Sequence, residues 1–123
     1  FTFMVTSSAH SDLKVRTKEF ALRIIRLYSA LPPKLEAQIL GKQVLRSGTS
    51  VGAQYREAGR ARSAAEYISK VQGSLQELEE TAYWLELLVE SQIIDSEKLK
   101  GLLQETSELI AIFTTLVQKA RRS

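Results

Sequence analysis

The stretch EYISKVQGSLQELEETAYWLELLVE, residues 66–90, decides the fold, because its apolar side chains recur at alternating spacings of three and four residues. Such spacing forms one apolar seam along a helix that packs nearly parallel or antiparallel to its neighbours. The seam comprises Ile68, Val71, Leu75, Leu78, Ala82, Leu85 and Val89. Just before it, the run SAAE at residues 63–66 fits a capping box, which predicts that this helix begins at Ser63.

The segments on both sides carry similar periodicity and predict three more helices. A fourth helix is predicted after a cap at Asp95 or Ser96. Its seam comprises Leu99, Leu102, Thr106, Leu109, Phe113, Leu116 and Ala120. A second helix is predicted over residues 34–58, with Gly59 as a left-handed C-cap. A first helix over residues 12–30 ends before a Pro-Pro pair, because proline lacks the amide proton that a helix needs.

Short links between long amphipathic helices favour antiparallel neighbours, so we predict an all-α, antiparallel up-down four-helix bundle over residues 12–123. Residues 1–11 are predicted to form a flexible N-terminal tail. No apolar run approaches the length of about 20 residues that spans a membrane, so we expect no membrane association. The absence of cysteine suits a reducing compartment, and we expect a cytoplasmic protein.

Charge is divided unevenly along the chain. The net charge of +3 is the sum of +7 in residues 1–70, −7 in residues 71–97 and +3 in residues 98–123. A basic stripe lies on the second helix, broadly opposite its core face, and continues into the third. Its members, the candidate nucleic-acid-binding residues, are Lys42, Arg46, Arg56, Arg60, Arg62 and Lys70. The stripe is either a solvated face that pairs with the glutamates of the third helix, or a binding site for phosphates.

Glycines also line up on the second helix, beside its core face. Together they form the glycine strip, which comprises Gly41, Gly48, Gly52 and Gly59. Interior glycines cost a helix about 1 kcal/mol each, so a close approach of another backbone or side chain must offset the loss. We predict that Gly48, Gly52, Gly59 and the neighbouring Tyr55 serve either close helix packing inside the bundle or contact with another subunit. Within the bundle, the bulky partner would be a residue such as Trp84 or Phe113.

No catalytic residue, metal site or cofactor is predicted. The single histidine, His10, falls in the predicted tail, which leaves a Ser/His/Asp triad without its base. Glu77 and Glu80 lie one turn apart, as carboxylate ligands in bundles do, but the Glu-x-x-His partners of a di-iron centre are missing. A glycine-rich phosphate loop is also missing. We therefore expect a protein that is not an enzyme.

The middle of the chain resembles a known family. The run RSGTSVGAQYREA at residues 46–58 is followed by RARS at 60–63, EY at 66–67, Glu77, Glu80 and YWLELL at 83–88. In this order the motifs resemble the bacterial 23S rRNA-intervening sequence protein family, over about residues 12–118. Gln54 stands where that family usually has asparagine.

The resemblance implies a small antiparallel bundle that assembles into a homopentameric ring and has no catalytic activity. The family looks related to accessory proteins of diversity-generating retroelements, which associate with a reverse transcriptase and with nucleic acid. Two functions are therefore expected as alternatives. One is electrostatic binding of RNA or DNA by repeated basic faces, and the other is a protein-interaction scaffold that docks an enzyme such as a reverse transcriptase.

Overall fold

The computed structural model describes residues 7–122, which form four α-helices joined by three short links. They are α1 (Ser7–Ala30), α2 (Leu35–Ala58), α3 (Ala64–Glu90) and α4 (Ser96–Arg122). Within residues 7–122 there is no strand, so the predicted all-α architecture of four packed helices is confirmed. None of these helices has an apolar stretch of the length that crossing a bilayer takes.

The first helix begins earlier than its periodicity suggests. It starts at Ser7 rather than near residue 12, so residues 7–11 of the predicted tail belong to α1. His10 packs its ring against Tyr55 of α2, with the ring centroids 4.9 Å apart. Residues 1–6 of the predicted tail, and residue 123, lie outside the described residues. The first turns carry mainly serine and alanine, which give no apolar period to read.

Neighbouring helices run antiparallel. Tyr28 near the end of α1 lies against Gly41 near the start of α2, and Glu57 near the end of α2 pairs with Lys70 near the start of α3. α2 packs on both α1 and α3, and α4 packs on α3, whereas α1 and α4 make the fewest contacts of the adjacent pairs. One end of the bundle therefore gathers the starts of α1 and α3 and the ends of α2 and α4.

Aliphatic and aromatic side chains from all four helices fill the interior. Phe113 of α4 meets Tyr55 of α2 edge-on, with the ring centroids 5.4 Å apart. α4 follows its predicted seam except that Val117 is buried in place of Leu116. The largest fully buried side chains are Tyr55, Phe20, Phe113, Ile24, Leu78, Leu85, Leu88, Leu109, Val44, Val51, Val71 and Thr17.

The inner face of α3 is rotated relative to its predicted seam. Ser74 and Thr81 are fully buried, whereas Leu75 is only half-buried. Both hydroxyls reach α2, because Ser74 Oγ donates to the Val51 carbonyl at 2.9 Å and Thr81 Oγ1 shares a hydrogen bond of 2.7 Å with Ser47 Oγ. A buried hydroxyl is tolerated when it has such a partner. The apolar spacing alone therefore placed the seam to one side of the buried face.

The ends of the helices confirm two predicted caps and correct a third. Ser63 Oγ accepts a hydrogen bond from the Glu66 amide at 3.1 Å, as the capping box predicted. Asp95 Oδ1 accepts from the Glu97 amide at 3.1 Å and caps α4. The prediction of a left-handed C-cap at Gly59 was wrong, since its φ of −64° is right-handed. The chain continues past Gly59 in a turn instead of reversing sharply.

A left-handed residue instead follows α3. Gln92 has a φ of 64°, and the Ile93 amide donates back to the Leu88 carbonyl at 3.1 Å. The Gln92 amide donates to the Val89 carbonyl at 2.9 Å, which completes the Schellman pattern of a helix end. Glycine is the usual residue at this position, and because Gln92 stands there the motif could not be predicted from residue type.

Candidate nucleic-acid interface

The glycine strip of α2 packs against α1. A Cβ atom added to Gly48 would lie 2.7 Å from Cγ1 of Ile24, and one added to Gly52 would lie 3.1 Å from Oγ1 of Thr17. At Gly59 an added Cβ would lie 2.7 Å from the ring of His10. The absence of side chains on this strip thus lets α1 approach closely, which agrees with the interpretation of close packing inside the bundle.

The expected partners of the strip were wrong. Trp84 and Phe113 do not fill the space over the glycines, because side chains of α1 do. These are Tyr28 over Gly41, Ile24 over Gly48, Thr17 over Gly52 and His10 over Gly59. A strip without side chains has room for bulky aromatic residues, which is why they were expected there. Over Gly48 and Gly52 the structure instead places the medium-sized side chains of Ile24 and Thr17, and the backbone carbonyl carbon of Thr17 would lie 3.5 Å from a Cβ added to Gly52.

Tyr55, grouped with the strip in the sequence, belongs to the interior. It is 0% exposed, and burial raises the pKa of its phenol well above the ordinary value. Its hydroxyl has no hydrogen-bond partner among the described residues. Because it is enclosed by the bundle, Tyr55 contributes to packing rather than to an outer surface.

Gln54 has a structural counterpart on α3. Its side-chain amide occupies the space beside Gly73, where an added Cβ would overlap it. Gly73 therefore leaves room for the side chain of Gln54, the residue that stands where the family that this sequence resembles usually has asparagine.

Two members of the basic stripe form ion pairs. Arg46 Nη2 lies 2.7 Å from Glu80 Oε1, and Arg46 Nη1 lies 3.2 Å from Glu77 Oε1. Lys70 Nζ lies 2.6 Å from Glu57 Oε1 and lowers the pKa of that carboxyl below its usual value. Glu77 and Glu80, which the sequence raised as possible metal ligands, thus hold an arginine across the α2–α3 interface.

The other four cations of the stripe have no such partner. Lys42, Arg56, Arg60 and Arg62 are exposed, and within residues 7–122 none lies within 4.0 Å of a carboxylate. Arg60 is close enough to Glu57 to lower the pKa of that carboxyl further. Arg56, Arg60 and Arg62 fall at the junction of α2 and α3. Lys42 lies apart from them, because Arg56 is 14 positions further along α2, which corresponds to about 21 Å of helix.

The antiparallel topology adds further cations to the same end of the molecule. Arg121 and Arg122 are exposed at the end of α4, and this end also holds the end of α2 and the start of α3. We call Arg56, Arg60, Arg62, Arg121 and Arg122 the basic end. The helical wheel of α2 alone missed the two α4 arginines, whose position follows only once the up-down order of the helices is applied.

Groups suited to metal binding do not converge in the described residues. No three His, Cys, Asp or Glu side chains of residues 7–122 come together as metal ligands would. His10 is half-buried against Tyr55, and burial together with Lys14 lowers the pKa of its imidazole. The buried polar side chains Ser47, Ser74 and Thr81 are engaged in hydrogen bonds between helices.

A comparison of sequences and a comparison of structures both find proteins similar to this bundle. The sequence pattern of the 23S rRNA-intervening sequence protein family matches residues 11–115. A crystal structure of a protein of unknown function from the S23 ribosomal protein family of Bacteroides thetaiotaomicron superposes with a TM-score of 0.80 at 38% identity. The similarity covers 85% of this chain and 96% of that one. No protein of curated function matches the chain.

Proposed function

Because the chain belongs to the 23S rRNA-intervening sequence protein family, we propose that it is a non-enzymatic bundle that assembles as a homopentameric ring and binds RNA or DNA electrostatically. The basic end is the observation that carries the nucleic-acid part of this proposal. Three of its arginines lie within seven residues of one another, and none of them is paired with a carboxylate among residues 7–122.

The unpaired state of these arginines decides which cations take part. Arg46 and Lys70 are already neutralised by glutamates, so a phosphate would have to compete with an intramolecular carboxylate for them. Arg56 and Arg62 face no such competition, and Arg60 has only a longer-range attraction to Glu57. Arginine also suits phosphate, since its guanidinium donates two parallel hydrogen bonds to phosphate oxygens. Binding is therefore assigned to the basic end, with Lys42 as a separate contact.

The aromatic residues near this end favour contacts to the backbone over contacts to bases. Tyr55 and Tyr67 are buried, so neither ring offers a face on which a nucleobase could stack. Proteins that read single strands by stacking need exposed aromatic platforms. We therefore expect little sequence preference and an affinity that falls steeply with salt, because each neutralised phosphate releases counterions.

Exposed aliphatic side chains on the outer faces of α1 and α2 support self-association. Leu35 is 75% exposed and Ile39 is 54% exposed one turn later, while Val15 on α1 is 61% exposed. Contiguous apolar side chains on a surface, such as Leu35 and Ile39, are of the kind that marks an interface. In a ring, each basic end is repeated, so several weak contacts on one strand add avidity. Light scattering should give a mass of five chains, and Ile39→Glu should lower it.

The nucleic-acid proposal is tested by binding of a labelled single-stranded RNA of about 20 nucleotides at about 50 mM and about 200 mM salt. The test variant carries Arg56→Gln, Arg60→Gln and Arg62→Gln. The control carries Lys18→Gln, Lys34→Gln and Lys100→Gln, which remove the same charge from exposed positions elsewhere. At about 0.7 log units per contact, the test variant should lower the salt slope by about 2, and the control should leave it close to wild type.

Equal salt slopes for the test and control variants would show that binding depends on net charge alone. That result would refute the basic end as a binding site. No binding by the wild type at low salt would refute nucleic-acid binding altogether. The alternative function, a scaffold for a protein partner, would then be supported if a partner stays bound after nuclease treatment.

A further inference from the structure

The second half of α1 and the beginning of α4 enclose a groove at the end of the bundle opposite the basic end. Its volume is about 360 Å³, and three cationic side chains line it, Arg23, Arg26 and Lys98. No carboxylate is among the lining residues. Within residues 7–122 none of the three cations lies within 4.0 Å of a carboxylate.

In the middle of the same α1–α4 interface, the positive charge of α1 is balanced by carboxylates of α4. Arg16 lies 2.7 Å from Glu105 and 2.7 Å from Glu108, and these carboxylates raise the pKa of its guanidinium. Two turns further along α1 the arginines continue, but α4 supplies Gly101 and Lys98 instead of glutamates. The cation excess of the groove is therefore local and is not compensated by the facing helix.

The floor of the groove is apolar. Leu27 and Ile94 are half-buried there, and Leu102 lies deeper in the core. Small-molecule sites typically combine such a floor with a few polar groups that fix orientation, in volumes of about 300–1,000 Å³. Cations above an aliphatic floor match a ligand that has an anionic head and an apolar body.

We propose that this groove binds a small amphipathic anion, in which a carboxylate, sulfonate or phosphate head meets Arg23, Arg26 and Lys98 while an apolar body lies on Leu27 and Leu102. The head is recognised by charge-assisted hydrogen bonds, which are stronger than neutral ones. The body is held by removal of its apolar surface from water. The site is separate from the basic end and does not depend on nucleic-acid binding.

The test uses the fluorescent probe 8-anilinonaphthalene-1-sulfonate with the full chain, and decanoate, decanol and inorganic phosphate as competitors. Arg26→Gln with Lys98→Gln should raise the Kd of the probe about tenfold, which corresponds to the loss of charged hydrogen bonds. The matched control, Lys18→Gln with Lys100→Gln, removes the same charge and should change it less than about twofold. Circular dichroism checks that each variant keeps its helices.

Decanoate should displace the probe at concentrations at which decanol and phosphate do not. Displacement by decanol as effective as by decanoate would refute the role of the cations, and displacement by phosphate alone would refute the role of the apolar floor. Equal probe binding by the test and control variants would refute the site. RNA binding measured on the same Arg26→Gln/Lys98→Gln protein should remain, which separates this result from that for the basic end.

Discussion

Gly48 and Gly101 offer a matched pair of substitutions with opposite expected signs. Both glycines lie inside helices, so alanine at either position gains about 1 kcal/mol of intrinsic helix stability. At Gly48, however, the new methyl group would lie 2.7 Å from Cγ1 and 3.0 Å from Cγ2 of Ile24, which is itself 0% exposed. At Gly101 its nearest neighbour is Nη2 of Arg23 at 3.2 Å, the mobile end of a long side chain.

The magnitudes follow from this geometry. Forcing a methyl group into a packed core costs about 1–3 kcal/mol, which outweighs the helix gain at Gly48 and leaves a net loss of about 1 kcal/mol. Gly101→Ala should keep most of its gain of about 1 kcal/mol. For a chain of this length, 1 kcal/mol corresponds to about 4 °C in Tm, so the two variants should differ by about 8 °C.

Thermal unfolding followed by circular dichroism at one fixed protein concentration measures this difference, since assembly would otherwise shift Tm. The double variant Gly48→Ala/Ile24→Ala removes both γ carbons that the new methyl group meets. It should be more stable than the sum of the single changes by at least about 1 kcal/mol. Additive effects, or a Gly48→Ala protein as stable as Gly101→Ala, would refute the assignment of the glycine strip to packing against α1.

Three further predictions concern single residues. Gln92→Gly should raise the free energy of unfolding by about 1 kcal/mol in chemical denaturation, because glycine adopts the left-handed backbone at this position without strain. A lower free energy of unfolding would contradict the Schellman assignment. Lys70 lowers the pKa of Glu57, so this pair stabilises the fold above the unfolded-state pKa of the carboxyl and loses its effect as pH falls through the lower folded pKa. Carbon-detected NMR titration should show the Glu57 pKa rise in Lys70→Gln, with only the smaller effect of Arg60 left, and an unchanged Glu57 pKa would contradict the pair. Burial and Lys14 lower the pKa of His10, so the free energy of unfolding should decline as pH falls below about 6.5, the usual pKa of imidazole. The variant His10→Gln should flatten that decline. An unchanged pH profile of stability in this variant would show that the ring is solvated.

The fold could be predicted to a large extent because its signals are local. The seam of α4 and the caps at Ser63 and Asp95 require only residues that are near one another in the chain. The buried face of α3 could not be predicted in the same way, since Ser74 becomes a core residue only when the Val51 carbonyl of another helix accepts a hydrogen bond from its hydroxyl. The first turns of α1 were missed because their stabilising contact, His10 on Tyr55, also comes from another helix.

The candidate interface likewise combines features that local sequence predicts with features that depend on other helices. Helical spacing grouped the cations of α2 on one face, yet it could not say that Arg46 would meet Glu77 and Glu80 whereas Arg56 would stay unpaired. That distinction depends on the register between α2 and α3. The contribution of Arg121 depends on the order of all four helices. Charge composition therefore grouped the cations, and tertiary packing decided which of them are left without a carboxylate partner among residues 7–122.

The sparse contact between α1 and α4 has a consequence for local opening of the bundle. Besides the bridge from Arg16 to Glu105 and Glu108, little joins these two helices, whereas each is held firmly along another side. Separating them costs less free energy than global unfolding, so amide protons along this edge should exchange with solvent before those of α2 and α3. A helix exchanged between two copies of the chain would leave and enter through the same edge.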